Sequence, residues 1–266
     1  MPSNPKLSII TIAYNNKAGL VKTMESVFAQ TYKDIEYIII DGGSTDGSKE
    51  VLEAFSDRLD YWVSEHDNGI YNALNKGILK ANGEYVIFLN SGDWFLNMDI
   101  LSLFMNDLDD FDIIYGNKIN YFSDDKIIEE KSPTVIDFYI LAFSYSLPHQ
   151  ATIIRRKLFN EIGLYDENLK IVADWKFALL AIFKYNYKYL HKDINLVYYD
   201  MNGISSNEKL KILQIKERDS VIDAHFSNIK HMDKESLLIQ KLKFYYKYSR
   251  TLRVLKMLGL IKKFDY

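Results

Sequence analysis

The sequence predicts an α/β fold with a mostly parallel central sheet, flanking helices and a helical extension at its C-terminal end. Strand-like and helix-like segments alternate through the first 90 residues, which is the order that right-handed βαβ units produce. The chain has 266 residues, of which 48% are hydrophobic and 26% charged, so it can bury the core of one large domain with an appendage. This composition disfavours disorder over most of the length.

The first three elements follow from their hydrophobic patterns. Residues 7–14 (LSIITIAY) are a nearly continuous apolar run that predicts a buried strand, and residues 35–41 (IEYIIID) predict a second one. Between them, residues 17–30 repeat apolar side chains at the spacing of one helical face. This order predicts that the two strands are parallel.

The alternation continues to the end of a fourth strand. Residues 44–55 (STDGSKEVLEAF) predict a second helix with serine and threonine as capping candidates, and residues 59–65 (LDYWVSE) predict a short third strand. Residues 68–81 place apolar side chains on one helical face, and residues 84–89 (EYVIFL) predict the fourth strand.

The composition restricts the kind of site that the chain can hold. The sequence has no cysteine, which excludes disulfides and cysteine-bound zinc or iron–sulfur centres, so any metal must bind oxygen or imidazole ligands. The first ten residues (MPSNPKLSII) fit neither a secretory signal nor a membrane span. A cytoplasmic location is therefore expected.

Polar residues follow each of the four predicted strands. Ligands in parallel α/β sheets bind beyond the carboxyl ends of the strands, so these residues are expected at one edge of the sheet. A structural explanation is also available, in which Ser44 or Asp46 caps the second helix and Asp67 the third. In the same way, Gly42 and Gly43 would only supply positive φ in a turn. The polar clusters are Thr11, Ala13, Tyr14 and Asn15; Asp41 to Asp46; Glu65, His66 and Asp67; and Asn90, Ser91, Gly92 and Asp93.

Six stretches carry a family resemblance. They are SIITIAYNN, IIIDGGSTDGS, SEHDNGIYNALNKGI, GEYVIFLNSGD, HQATIIRRKLF and ADWKFAL. In this order and spacing, between about residues 6 and 205, they resemble the family-2 glycosyltransferases with the Rossmann-like GT-A fold, the bacterial kind that build surface polysaccharides. Together they are much more specific than any single motif.

The resemblance implies both an activity and a domain organisation. The implied enzyme is of the hexosyltransferase type and moves a sugar from a nucleotide diphosphate donor to an acceptor hydroxyl with inversion, assisted by Mn²⁺ or Mg²⁺. The match at Asp41 favours UDP as the nucleotide, and the implied acceptor is a saccharide, free or lipid-linked. The implied catalytic domain is residues 1–205, with a nucleotide-binding half at about 1–116 and an acceptor half at about 117–205.

The resemblance assigns the strand-end residues to donor binding. Asp41 is expected to accept a hydrogen bond from a base N–H or a ribose hydroxyl. Asp67 matches a nucleotide-contacting acidic position, and Lys76 matches an often basic position that reaches the base or a phosphate, although it could simply be solvated. The other expected donor-binding residues are Thr11, Ala13, Tyr14 and Asn15, partly through backbone groups, and Gly43, Ser44, Asn90, Ser91 and Gly92.

Asp93 is the candidate metal ligand. A cation that binds the diphosphate oxygens acts as a Lewis acid and stabilises the negative charge on the leaving nucleoside diphosphate. Mg²⁺ or Mn²⁺ commonly binds one or two carboxylates together with phosphates. The family usually presents a D-x-D pattern, whereas this chain has Asn90 at the first acidic position and Gly92 before Asp93. The number of protein ligands is therefore open, and the alternative for Asp93 is a turn residue at a strand end.

Asp174 is the candidate catalytic base. Residues 170–185 (KIVADWKFALLAIFKY) predict a buried helix with Asp174 at its beginning. An inverting transfer needs a base for the acceptor proton, and the family carries an acidic base before such a helix. The alternative is that Asp174 only complements the helix dipole, a field that also favours its ionised form.

Further candidates belong to the acceptor side. Trp175 could pack in the core or form a platform for the acceptor. His149 and Gln150 precede a strand in a stretch that resembles the acceptor side of the family, and are candidate neighbours of the acceptor or the metal. A lone histidine is also often a hydrogen-bonded structural residue. Gly203 and Ser205 lie in a segment that resembles the loop closing over the donor.

Residues 206–266 form a basic extension with a different composition. Residues 207–226 and 234–264 predict helices, and residues 241–266 carry eight lysines and arginines against one aspartate, in a chain of net charge −3. A basic amphipathic helix indicates peripheral contact with the inner membrane surface. The alternatives are a helix packed on the catalytic domain and a homo-oligomer contact. Nucleic acid is not expected because the rest of the chain is acidic.

Three classes of function are compatible with these observations. The first is a metal-dependent, inverting glycosyltransferase. The second is a nucleotidyltransferase, which would require a glycine-rich loop with a basic residue directly after the first strand. Residues 11–19 (TIAYNNKAG) are not glycine-rich, which disfavours this class. The third is a non-catalytic subunit that binds nucleotide sugars, which Asn90 leaves open.

Overall fold

A mixed sheet of nine strands organises the chain, of which the computed structural model describes residues 6–106, 108, 110–201 and 210–227. The strands are β1 (Leu7–Ala13), β2 (Ile35–Asp41), β3 (Tyr61–Ser64), β4 (Tyr85–Phe88), β5 (Trp94–Phe95), β6 (Ile113–Ser123), β7 (Lys126–Glu130), β8 (Thr152–Arg155) and β9 (Tyr189–Asp200). Their order across the sheet is β3-β2-β1-β4-β8-β6-β9-β5, and β7 pairs with β6 beside this path.

Helices flank the sheet. Within the described ranges they are α1 (Lys17–Phe28), α2 (Ser48–Ala54), α3 (Ile70–Lys80), α4 (Ile100–Phe104), α5 (Lys157–Glu161), α6 (Ala173–Phe183) and α7 (Lys211–His225). Short 3₁₀ segments cover Ser56–Arg58 and His149–Ala151, and Ile140–Ser144 forms a π-helical turn.

The first half of the chain forms the parallel half of the sheet. β1 pairs in parallel with both β2 and β4, and β2 pairs in parallel with β3. The α/β class and the predicted alternation of strands and helices are confirmed. The second half adds antiparallel pairs, β4 with β8 and β8 with β6, whereas β6 and β9 are parallel.

The predicted helix caps differ from the observed ones. α2 begins at Ser48, after Gly47 with φ of 92°, and no side chain of the cap residue bonds to it, so capping by Ser44 or Thr45 was a wrong prediction. Asp46 instead accepts the backbone N–H groups of Lys17 and Ser48, the first residues of α1 and α2, at 2.8 and 3.1 Å. Asp67 does not cap α3, whose cap residue is a glycine.

The hydrophobic core has two layers because side chains alternate across the strands. Ile10 and Ile38 belong to the layer covered by α3, α6 and α7, whereas Ile9 and Ile39 belong to the layer covered by α1 and α4. α3 approaches β1 closely at Gly77, where a Cβ atom would lie 2.4 Å from Cγ2 of Ile10. This close approach fixes the helix that leads into the site described below.

α7 packs into the core layer that also contains α3 and α6. Val221 and Ile222 are buried in the layer of α3 and α6. The carboxylate of Glu217 accepts the backbone N–H groups of Lys170 and Ile171 at 2.7 and 3.0 Å, just before α6. α7 (Lys211–His225) lies within the predicted helix at 207–226, and it packs on the residues that precede it.

Some predictions fall elsewhere in the chain. The helix at 234–264, the basic residues 241–266, and Gly203 and Ser205 lie outside the described residues. Within the described ranges, the helices are too short or too polar to cross a membrane.

Candidate functional site

A cleft of about 1050 Å³ joins the end of β4 to the second half of the chain. Asn90 lines it from the end of β4, His149 and Gln150 from the segment before β8, and Asp174 from the first turn of α6. Arg218 of α7 lines the same cleft. Residues that are far apart in the sequence therefore share one cavity.

A hydrogen-bond network ties the ends of β1 and β2 together. Ser44 donates its N–H to Asp41 at 2.9 Å and its hydroxyl to the other carboxylate oxygen, while its Oγ accepts the N–H of Asn15 at 2.8 Å. Ser64 at the end of β3 donates to Asp41 at 2.6 Å. Gly43 holds φ of 81° in this turn, as expected, whereas Gly42 does not have positive φ.

Asp41 is an internal support of this edge. It is 0% exposed, and serines occupy both of its carboxylate oxygens. The predicted direct contact with a base or ribose is therefore not met in this structure, because no surface of the side chain is available to a ligand. Asp41 fixes the loop that carries Ser44 instead.

Two predicted donor-binding residues lie beside Gly42. A Cβ atom at Gly42 would lie 3.1 Å from Oδ2 of Asp67 and 3.2 Å from Cδ2 of Tyr14, so both side chains reach this backbone position. The ring of Tyr14 is 64% exposed. An exposed aromatic face beside a carboxylate can stack on a planar base and accept one of its N–H groups.

Lys76 holds Asp67 in place. Its ammonium group lies 2.6 Å from Asp67 and 2.7 Å from Glu65, and it also donates to the carbonyl of His66 at 3.2 Å. Its side chain is 25% exposed. Lys76 is thus not simply solvated, but bound to the residues that follow β3.

The predicted metal region is a tight turn after β4. Gly92 has φ of 104°, and the N–H of Asp93 donates to the carbonyl of Asn90 at 2.9 Å. The Ser91 carbonyl accepts from the side chain of Asn16 at 3.0 Å, and Gly92 N–H donates to Thr23 at 3.0 Å. The turn is therefore anchored to β1 and α1.

Asp93 lies beneath this turn beside a second carboxylate. It is 4% exposed and accepts the backbone N–H of Asp200 at 3.0 Å. Burial raises the pKa of Asp93 to about 7, with the Asp200 charge adding to the rise, while hydrogen bonds from the Asp200 backbone and from Gln150 oppose it. The carboxylate of Asp200 also approaches the turn, since a Cβ atom at Gly92 would lie 3.3 Å from its Oδ2.

This donor set fits a hard divalent cation that shares its coordination with phosphate. Asp93 and Asp200 bring two carboxylates together, and the amide oxygen of Asn90 is buried with no hydrogen-bond partner. A buried acceptor without a donor is a group that a cation can satisfy. The described residues hold no cluster of three or more metal-binding side chains, so phosphate and water would supply the remaining ligands.

Asp174 is held at two points in the cleft. Its Oδ1 accepts the hydroxyl of Tyr71 from α3 at 2.9 Å, and its Oδ2 lies 3.7 Å from Nδ1 of His149. The side chain is 25% exposed. Burial and the Asp174 charge raise the pKa of Tyr71 far above its usual range, so this hydroxyl stays protonated and keeps donating.

The other predicted residues divide between site and core. His149 stacks on Phe88 with ring centres 4.8 Å apart, and the side chain of Gln150 hydrogen-bonds to Asp93. Trp175 is 2% exposed and donates to the Leu141 carbonyl at 2.6 Å, which makes it a packing residue. Thr11 is 0% exposed and donates to the Leu89 carbonyl at 2.8 Å, so its side chain does not reach the edge of the sheet. Ala13 is also nearly buried.

A family model and curated relatives match this chain. The model described as Glycosyl transferase family 2 matches residues 8–168. An "uncharacterized glycosyltransferase" of Mycobacterium tuberculosis is 36% identical over 186 residues, which are 68% of this chain and 70% of the relative. A "PGL/p-HBAD biosynthesis glycosyltransferase" of Mycobacterium bovis is 31% identical over 181 residues, which are 66% and 69% of the two chains.

Solved structures share the fold. TarS 1–349 of S. aureus in complex with UDP-GlcNAc has a TM-score of 0.63 at 17% identity, covering 92% of this chain and 74% of that one. The mannosyltransferase PcManGT of Pyrobaculum calidifontis, in complex with GDP-Man and Mn²⁺, has a TM-score of 0.57 at 14% identity, covering 96% and 84%. At these low identities, the comparison shows a shared fold, the GT-A architecture.

Proposed function

The chain belongs to glycosyltransferase family 2, and from this membership we propose that it transfers a sugar from a UDP-sugar to a saccharide acceptor with inversion at the anomeric carbon. The observation that carries the proposal is Asp174, a carboxylate fixed by Tyr71 and exposed in the cleft that Asn90 also lines. The family membership argues against the nucleotidyltransferase alternative.

The donor base is proposed to lie over Gly42. There the exposed ring of Tyr14 stacks on the base and Asp67, fixed by Lys76, accepts one of its N–H groups. Asp41 contributes indirectly by fixing Ser44 and the end of β1. UDP is supported by the complexes of TarS with UDP and UDP-GlcNAc.

Asn90, Asp93 and Asp200 are the residues that would hold Mn²⁺ or Mg²⁺ together with the donor diphosphate. The unpartnered amide oxygen of Asn90 and the Mn²⁺ complex of PcManGT support this assignment. A bound ion supplies Lewis-acid stabilisation of the negative charge on the leaving group. Two carboxylates and an amide offset the missing first acid of the family pattern.

Asp174 acts as the base in this proposal. Its free oxygen lone pairs take the proton of the acceptor hydroxyl while that oxygen forms a bond to the anomeric carbon. The bond from this carbon to the diphosphate oxygen breaks on the opposite face, and its electron pair leaves with UDP. Tyr71 keeps the carboxylate oriented throughout, and a positioned base of this kind typically contributes about 10²- to 10⁴-fold.

The acceptor is proposed to be a lipid-linked saccharide in the synthesis of a surface glycoconjugate. The relative whose name refers to PGL/p-HBAD biosynthesis supports this class. The eight basic residues among 241–266 support peripheral attachment to the cytoplasmic face of the inner membrane. Nucleic acid has no place in this reaction.

Turnover of nucleotide sugars tests the proposal. UDP-glucose, UDP-galactose and UDP-N-acetylglucosamine are incubated with the full chain, with Mn²⁺ or EDTA, and released UDP is measured. We expect release with one of these donors, and Asp174→Asn to lower it at least about 100-fold without changing donor binding. Asp57→Asn, a matched change on the exposed Ser56–Arg58 turn, should have no effect.

Two results would reject parts of the proposal. Equal turnover by Asp174→Asn rules out this base. Tight UDP-sugar binding without hydrolysis or transfer under any condition supports the non-catalytic binding subunit that Asn90 leaves open.

A further inference from the structure

Arg218 of α7 has no task in the transfer described above, yet it lines the same cleft as Asp174. We propose that Arg218 binds an anionic group, a phosphate or a carboxylate, on the saccharide acceptor, so that the enzyme selects acceptors that are negatively charged near the reacting hydroxyl. The inference rests on the proposed function and specifies its acceptor class.

The guanidinium group has unused donors. Its Nη2 donates to the carbonyl of Tyr145 at 3.4 Å and to the hydroxyl of Ser146. Its Nε is buried with no hydrogen-bond partner, and none of the described residues accepts from Nη1 or brings a carboxylate within ion-pair distance. A largely buried cation left without an anion is unfavourable, and a guanidinium fork matches a phosphate or a carboxylate.

The position of Arg218 selects the acceptor over the donor. Its described contacts are Tyr145, Ser146 and the ring of Trp175, whose centre lies 4.7 Å from Cζ, and all three belong to the acceptor half. The donor candidates Tyr14 and Asp67 lie at the ends of β1 and β3 instead. Stacking on Trp175, the neighbour of Asp174, also fixes the direction of the guanidinium.

Charge interactions place the bound anion close to the base. Burial lowers the pKa of Arg218 to about 10, while the Asp174 charge opposes this, so Arg218 remains a cation at neutral pH and lies within electrostatic reach of Asp174. The other cations that line the cleft are Lys118, which lies 3.5 Å from Glu130 and is neutralised by it, and Lys170 and Lys211, which are exposed to solvent. Arg218 therefore has the positive charge that an anionic acceptor needs beside the reacting group.

Matched acceptors test this assignment. The full chain is assayed with its active UDP-sugar and with each acceptor sugar in three forms. One is the neutral methyl glycoside, and the two anionic forms are the sugar 1-phosphate and the methyl glycoside of the corresponding uronic acid. We expect the anionic forms to be preferred, and Arg218→Gln to raise KM for them by roughly 10- to 150-fold, the range for lost charge-assisted hydrogen bonds. KM for the UDP-sugar and hydrolysis without acceptor should not change.

Two further variants separate binding from folding. Arg218→Lys keeps the charge but not the fork, so it should recover part of the preference, whereas Lys216→Gln removes an exposed charge from the same helix and should have no effect. If transfer is too slow to follow, ligand-observed NMR of the sugar 1-phosphate and the methyl glycoside, with UDP and Mn²⁺ present, reports the same preference.

The outcomes distinguish the alternatives. Equal losses for neutral and anionic acceptors in Arg218→Gln would mean that Arg218 only supports the fold. A rise in KM for the UDP-sugar would mean that it binds the donor diphosphate, and an unchanged preference in both variants would also reject the proposal. If the wild-type chain turns over no donor at all, the proposed function fails, and that failure is visible before any acceptor is added.

Discussion

At position 90 an amide stands where the family pattern has a carboxylate, and its oxygen is buried without a partner beside Asp93. We expect Asn90→Asp to bind Mn²⁺ about tenfold more tightly in the presence of UDP, because ligand charge tunes the affinity of such sites. The metal-free protein should be less stable, since the new charge lies near other carboxylates. Calorimetric titration with Mn²⁺ and thermal unfolding in EDTA measure both effects.

A surface change provides the control for this prediction. Asn97→Asp adds the same charge at an exposed position and should alter neither quantity. If Asn90→Asp leaves Mn²⁺ affinity unchanged, the amide oxygen does not face the ion.

His149 makes stability depend on pH. Burial lowers its pKa from the ordinary 6.5, with Asp174 opposing the shift, and Tyr165 is the other titratable group packed on its ring. Below pH 6.5 His149 is therefore protonated in the unfolded chain but still neutral in the folded chain. Its contribution to the free energy of unfolding is fully present above this pH and is lost as the pH decreases. The slope approaches at most about 1.4 kcal/mol per pH unit for one proton.

Urea unfolding at pH 7.5 and 5.5 measures this component. His149→Phe keeps a ring on Phe88 but cannot titrate, so it should lose less stability between the two pH values than the wild-type chain. Other histidines contribute equally to both proteins and cancel in this difference. An identical loss in the two proteins would contradict the assignment.

Several site residues could not be found from sequence patterns. Tyr71 and Asp174 are 103 positions apart, and Asp93 and the backbone of Asp200 are 107 apart. Local periodicity carries no information on such pairs. The sequence pattern placed Tyr71 in an amphipathic helix and did not indicate a role in the site. The one available sign for Asp200 was a carboxylate at the end of a strand, as for Asp93. Ser64 likewise donates to Asp41 from another strand, a partner that the local sequence does not indicate.

At the scale of the elements, the contact between α3 and β1 depends on the missing side chain of Gly77. Alanine favours a helix over glycine by about 1 kcal/mol, but its Cβ would lie 2.4 Å from Cγ2 of Ile10, and overpacking typically destabilises by about 1–3 kcal/mol. We expect Gly77→Ala to lower the free energy of unfolding and to reduce activity through the displacement of Tyr71. Denaturant unfolding and turnover test this.

A double-mutant cycle isolates the clash. In the Ile10→Ala background, which removes the opposing methyl group, Gly77→Ala should be neutral or stabilising. Equal destabilisation in both backgrounds would show that the steric contact is not the cause.

The elements differ in how far local patterns determine them. β1, β2 and β4 are buried on both faces and consist of nearly continuous apolar runs, so they were predictable. β6, β7 and β9 are mostly polar or half-buried. β6 and β9 are stabilised by pairing with each other across a long stretch of chain, and β7 is stabilised by a hairpin with β6. Hydrophobic periodicity therefore accounts for the parallel strands of the first half of the chain and gives little information on β6, β7 and β9.

At the scale of the whole molecule, the charge is uneven, with residues 241–266 strongly basic in a chain of net charge −3. We expect deletion of residues 241–266 to reduce sedimentation with vesicles containing anionic phosphatidylglycerol, since each basic residue near such a surface contributes about 1 kcal/mol. Hydrolysis of the UDP-sugar should be unaffected.

Uncharged phosphatidylcholine vesicles and added salt are the controls for this measurement. Binding of the full chain to uncharged vesicles should be weak, and its binding to anionic vesicles should decrease when salt is added. Undiminished binding of the shortened chain to anionic vesicles would rule out the membrane role and favour packing or oligomerisation of this segment.

The hydroxyl of Tyr71 comes from the half proposed to bind the nucleotide, and the carboxylate that it orients comes from the half proposed to bind the acceptor. The two halves are therefore not independent modules for protein engineering. A chimera that grafts the acceptor half of a relative onto this donor half inherits an aspartate whose orientation depends on a helix from the other parent. Recombination between relatives would preserve turnover only where both parents carry a compatible pair at these two positions, which limits how freely acceptor specificity can be exchanged.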